Sequence, residues 1–157
     1  MTGREHRRLA AGLCAAALIA LAGCGGGSKP ARPTTPASVV RAWADALRAG
    51  HVDQATRLFA VPALVANGGP PVKLTTRAEI RFFNESLPCG ARVASTERGP
   101  RGFTIVTFVL TERPGGGDCR GGVGSTARTA FRIRNGRITD WLRVEDIPSA
   151  PAAATKV

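Results

Sequence analysis

The sequence predicts an α+β domain in which three N-terminal helices pack on one face of a curved antiparallel sheet. Three observations carry this. Apolar residues recur at helical spacing as far as residue 87, and from residue 91 onward the period changes to two. The dipeptide Asn135-Gly136 separates the last two alternating stretches, and both residues tolerate the positive φ that a two-residue hairpin loop requires.

Taken in order, the chain begins with a basic head, Arg4, Arg7 and Arg8, followed by an apolar run over 9–21. That run is short for a bilayer span and has the make-up of an export signal. It closes on Leu21-Ala22-Gly23-Cys24. A Leu, two small residues and a Cys resemble the bacterial lipobox, which implies a diacylglyceryl group on the Cys24 thiol and removal of residues 1–23 as a lipoprotein signal peptide. An ordinary cleaved signal or an uncleaved anchor helix are the alternatives, and the agreement of head, core length, small residues and Cys favours the lipobox. Cys14, inside the apolar run, is assigned no role. Acyl chains contribute roughly 0.8 kcal/mol per buried CH₂, so two or three of them hold a small domain on a membrane. The implied location is the cell envelope, on the outer side of the cytoplasmic membrane or in the periplasm or outer membrane.

Residues 24–34 are rich in Gly, Pro and Ser and lack apolar periodicity, so they read as a flexible tether with a reach of roughly 15 to 20 Å. Thr35-Pro36 is a helix start, with Thr35 as N-cap and Pro36 at the first helical position, where its missing N–H costs nothing. Val39, Val40, Trp43, Ala44 and Leu47 fall on one face, and Gly50 stops the helix. A second helix is expected over 52–60, with Ala55, Leu58 and Phe59 inward. A short apolar piece, 63–66, precedes the turn signal Asn67-Gly68-Gly69-Pro70-Pro71. A third helix is expected over 76–87, from the spacing of Ile80, Phe83 and Leu87 ahead of Pro88. Four strands are expected over 91–97, 103–112, 125–134 and 137–145. The tail, 148–157, is too poor in apolar residues to fold and is expected to be disordered.

Composition bounds the rest. Apolar residues make up 43% of the chain, enough for one core. The net charge is +11, of which the leader contributes three Arg against Glu5, leaving +9 for the 134 residues from Cys24 on. The basic residues are scattered singly and are not interleaved with aromatics, so a nucleic-acid partner is not expected. The plainer reading of the charge is the Ala/Arg/Gly-rich composition that a high-GC genome produces, with attraction to acidic envelope lipids or polymers as the alternative.

Cys89 precedes the first long strand and Cys119 lies in the Gly-rich connection between the second and third. In a meander, the start of one strand and the end of the next share an edge, so the two thiols are expected close together and, in an exported domain, joined as a disulfide. A metal site would want more ligands, since the only His after the leader is His51. No cofactor is implied.

Three segments together resemble a known superfamily: Thr-Pro-Ala-Ser-Val-Val-Arg-Ala-Trp over 35–43, Ala-Gly-His-Val-Asp-Gln-Ala-Thr-Arg-Leu-Phe-Ala over 49–60, and Phe-Arg-Ile-Arg-Asn-Gly-Arg-Ile-Thr-Asp-Trp over 131–141. They look like the nuclear transport factor 2-like superfamily in its SnoaL-like and ketosteroid isomerase-like branch, over residues 35–147. The resemblance implies a cone-shaped fold enclosing an apolar pocket, used by some members for catalysis and by others for binding, so the fold leaves function open.

Catalysis in the isomerases requires a general-base carboxylate, a Tyr and a protonated Asp. Carried onto this chain, those positions fall at Asn67, Trp43 and Thr129, and the chain contains no Tyr. An amide does not accept a proton near neutral pH. On the last strand, the alternation puts Thr139, Trp141, Arg143 and Glu145 on one face, which the resemblance turns into the cavity, with Asp140 on the other. Pocket candidates are therefore Trp43, Asn67, Thr129, Trp141, Arg143 and Glu145, with Arg143 and Glu145 able to hold a polar ligand head. The plainer alternative is that both Trp side chains fill the cone as core while Arg143 and Glu145 pair at its rim. His51 is assigned no role.

Three function classes follow. A lipid-anchored module that binds a small apolar ligand or an envelope protein is favoured, because the acid, base and oxyanion donors are missing. An isomerase, cyclase or hydrolase using Glu145 or Asp140 is the rival. An assembly protein would expose an apolar patch on the outer sheet face and form a homodimer there, as many members of the superfamily do. An open cavity with a carboxylate of raised pKa at its floor would favour the enzyme, and a cone plugged by Trp43 and Trp141 a partner-binding role.

Overall fold

The structure, a computed structural model, describes residues 34–144. The leader, Cys24, the tether, Glu145 and the tail therefore lie outside the described residues. Three helices, α1 (Pro36–Arg48), α2 (Val52–Arg57) and α3 (Arg77–Ser86), cover one face of a six-stranded sheet. The strands are β1 (Phe59–Ala66), β2 (Val72–Leu74), β3 (Gly90–Arg98), β4 (Thr104–Thr111), β5 (Thr126–Arg134) and β6 (Arg137–Val144), in the order β2-β1-β6-β5-β4-β3. Among the described residues no helix is long and apolar enough to cross a membrane.

Helix α1 starts where its sequence says. The Thr35 hydroxyl accepts from the Ser38 N–H at 3.1 Å, and the Ser38 hydroxyl accepts from the Thr35 N–H at 3.0 Å, a reciprocal cap on two otherwise unpaired donors. Its inward stripe, Val39, Val40, Trp43, Ala44 and Leu47, is buried. The helix ends before Gly50, whose φ is +78° and where an added Cβ would lie 3.2 Å from Pro114, so a side chain has little room. Helix α3 repeats the device with Thr76 and Glu79. Two arginines close the C-terminus of α2: Arg77 donates to the Thr56 and Phe59 carbonyls at 2.9 and 2.8 Å, and Arg137 donates to that of Arg57.

The sheet departs from the expected antiparallel meander. Strands β3 to β6 form that meander, with Asn135 (φ 51°) and Gly136 (φ 68°) in its last turn. The second helix, however, ends at Arg57 rather than residue 60, and the next residues form β1, which pairs parallel to β6 and antiparallel to β2. The sheet is thus mixed. The reason is burial: Phe59, Ala63 and Val65 supply apolar side chains to the core, and an extended chain places them there better than another helical turn. Pro62 falls where the pairing of β1 with β6 jumps from Phe59–Ile138 to Leu64–Asp140, so its missing N–H interrupts no regular ladder.

The core is aromatic at its centre. Trp43 meets Phe59, Phe108, Phe131 and Trp141 with ring centroids 5.6 to 6.4 Å apart, and Phe83 meets Trp141 edge-on at 5.2 Å. Tilted and edge-to-face contacts of this kind suit the ring quadrupoles.

Candidate functional site

A cavity of about 140 Å³ remains between α1, the loop after α3 and the concave face of the sheet. Trp43 and Trp141, 2% and 5% exposed, form its floor. Phe108, Leu110 and Leu87 line its walls, and exposed Asn67 and Arg143 stand at its mouth. Thr129, nearly fully buried, is the hydroxyl on the wall. Five of the six pocket candidates therefore surround one space, and Glu145 lies outside the described residues.

The two indoles differ. Trp43 donates its N–H to Asn84 Oδ1 at 2.8 Å, and Asn84 donates in turn to the Ile80 carbonyl at 2.8 Å. The N–H of Trp141 is buried with no acceptor among the described residues. An unpaired buried donor costs about 1 to 3 kcal/mol.

Sequence reasoning missed the support beneath this floor. Asn84 is fully buried, and its place between Ile80 and Leu87 on the inward face of α3 was the available signal. Arg113, 6% exposed, donates to the Asn84 and Glu85 carbonyls at 3.2 and 2.8 Å and so closes the end of α3. Burial pulls its pKa down from the usual guanidinium value, partly opposed by Glu85. Nothing in the run Arg113-Pro114-Gly115-Gly116 distinguishes it from a solvated loop.

The disulfide joins Cys89 to Cys119, with Cα atoms 4.8 Å apart, at the edge shared by the start of β3 and the end of β4. Cys89 also lines the cavity.

One expectation for the last strand, the placing of Thr139, needs correction. Thr139 does not share the cavity face with Trp141, because the pairing of β5 with β6 slips between Arg132–Asp140 and Ile133–Ile138 and leaves Thr139 as the extra residue. Its hydroxyl bonds instead to the Arg132 carbonyl at 3.1 Å and to the Asp140 carboxylate at 2.7 Å. Asp140 is further held by Arg132 at 3.6 Å and is not among the residues around the cavity.

No carboxylate from the described residues lines this space. Nor do any three His, Cys, Asp or Glu among those residues come together as metal ligands would. What the site offers is an apolar chamber with two donors at its mouth, the Asn67 amide and the Arg143 guanidinium, and no group that takes up a proton near neutral pH.

No protein-family profile and no curated protein matches the sequence. Solved structures match the fold. A candidate polyketide cyclase from Sinorhizobium meliloti is 19% identical, with 68% of this chain and 93% of that one covered and a TM-score of 0.52. A protein of ketosteroid isomerase-like fold from Catenulispora acidiphila, solved with trimethylamine, is 20% identical over 73% and 88%, with a TM-score of 0.52. A nuclear transport factor 2-like protein of unknown function from Cytophaga hutchinsonii is 11% identical over 70% and 88%, with a TM-score of 0.54. The domain thus has the nuclear transport factor 2-like fold, three helices on a curved mixed sheet.

Proposed function

We propose that this chain is an exported, lipid-anchored protein of the cell envelope whose domain binds a small apolar molecule and does not catalyse a reaction on it. One observation carries the binding reading: the cavity is walled by apolar side chains, floored by Trp43 and Trp141, and lacks a carboxylate from the described residues. Asn67, Trp43 and Thr129 occupy the positions at which the resemblance would put base, oxyanion donor and second acid, and none of the three residue types does that work. The anchor rests on Leu21-Ala22-Gly23-Cys24 and the tether behind it.

Two measurements test the halves separately. Globomycin, or Cys24→Ala, should block maturation and release the domain from the membrane fraction; normal processing in both cases removes the anchor. Native mass spectrometry of protein purified from its own envelope should show a small molecule bound at one per chain.

An enzymatic reading draws support from structural neighbours described as candidate polyketide cyclases. It now depends on Glu145, because Asp140 is engaged by Arg132 and Thr139 away from the cavity. Turnover of a small polyketide or steroid that stops in Glu145→Gln would establish it in place of the binding reading.

A further inference from the structure

We infer that the cavity takes an organic acid, with a body the size of one six-membered ring seated against Trp43 and Trp141 and a carboxylate held at the mouth by Arg143. This rests on the reading of the cavity as a ligand site and narrows it to one chemical class.

Size sets the body. A dry apolar cavity of about 150 Å³ takes up benzene, and this one measures about 140 Å³. It has room for one ring, or for a folded chain of similar volume, and not for a fused multi-ring skeleton. The aromatic edges and faces of Trp43, Trp141 and Phe108 favour a planar ring over a branched aliphatic body.

Charge sets the head. Arg143 is exposed at the opening and forms no ion pair with a carboxylate of the described residues; it shares this with exposed Arg41, Arg57 and Arg92, and what sets it apart is its place at the cavity. A guanidinium presents a planar fork that matches a carboxylate, and here the neighbouring Asn67 amide adds a neutral donor. A cationic ligand would meet Arg143 and no compensating acid from the described residues.

The chain supplies its own reporter, since its only two Trp both line the cavity and it has no Tyr. Phenylacetate, phenylacetamide and toluene are titrated into the purified full chain, free of detergent, and Trp emission is followed. Saturable binding of all three is expected, with phenylacetate tighter than phenylacetamide by about fivefold, the scale of one exposed ion pair. In Arg143→Gln, whose thermal melt checks that it folds, the preference for the acid over the amide should vanish. Equal affinities for acid and amide in the unaltered chain, or a preference that survives Arg143→Gln, overturn the assignment of the acid while leaving the cavity a ligand site. Failure of all three probes to bind overturns the ligand site itself.

Discussion

The indole N–H of Trp43 donates to Asn84 Oδ1 at 2.8 Å across the core, joining the middle of α1 to the end of α3 beneath the cavity floor. Asn84 is fully buried and its amide also donates to the Ile80 carbonyl, so both ends of the side chain are spoken for. Asn84→Ala removes both bonds and strands the Trp43 donor without water. The expected loss is about 2 to 3 kcal/mol of stability, read from the urea midpoint. A loss under about 0.5 kcal/mol, the range of a neutral surface change, would show that the bond has no structural weight.

The same reasoning separates the two Trp residues. Trp43→Phe orphans the Asn84 carbonyl oxygen and should cost about 2 to 4 kcal/mol. Trp141→Phe removes a donor that has no acceptor among the described residues, which offsets much of the lost packing. Its cost should stay within about 1 kcal/mol. Paired denaturation curves decide the matter, and equal costs would mean that Trp141 has an acceptor after all.

Breaking the Cys89–Cys119 bridge frees a loop of 30 residues' separation in the unfolded chain. In the chain-entropy account that lowers stability by roughly 3 to 4 kcal/mol. Guanidinium melts of oxidised and reduced protein should differ by that amount. Because Cys89 is part of the cavity wall, reduction should also weaken phenylacetamide binding, and unchanged affinity would uncouple the two features.

Glu79 gives the stability a pH signature. Backbone N–H groups of Thr75 and Thr76 bond its carboxylate and hold its pKa below the usual carboxylate range. A folded-state value lower than the unfolded one gives stability that is complete above the unfolded pKa, about 4.3, and is lost as pH falls through the folded value. Melting temperature should therefore drop more steeply below about pH 4.5 in the unaltered chain than in Glu79→Gln. At neutral pH Glu79→Gln should be the less stable of the two, because its amide keeps an acceptor but loses the charge. Parallel slopes would rule the contribution out.

Local chemistry was legible and long-range pairing was not. Thr35-Pro36 and Asn135-Gly136 each announce an element boundary through a hydrogen bond or backbone angle confined to a few residues, and each appears in the structure. The residues from Phe59 to Ala66 carry no such mark. Their apolar run is interrupted by Pro62, which counts locally against a strand, and only the distant partner β6 makes an extended conformation worthwhile. Thr139 shows the same limit in miniature: strict alternation puts it beside Trp141, and a slip in the partner's register takes it away. Trp43, Asn67, Thr129, Trp141 and Arg143 could be grouped in advance through resemblance alone. Asn84 and Arg113, which hold the floor from below, needed coordinates.

The placement of β6 between β1 and β5 has a consequence for biosynthesis. The strand that leaves the ribosome after all the others fills an interior slot, bonded on both sides, while β1 waits some 70 residues upstream with that flank open. Until residue 144 has emerged, the nascent chain holds two half-ladders that cannot merge, so completion of the sheet waits for β6. Whatever holds β6 back therefore keeps the two flanks of the sheet apart.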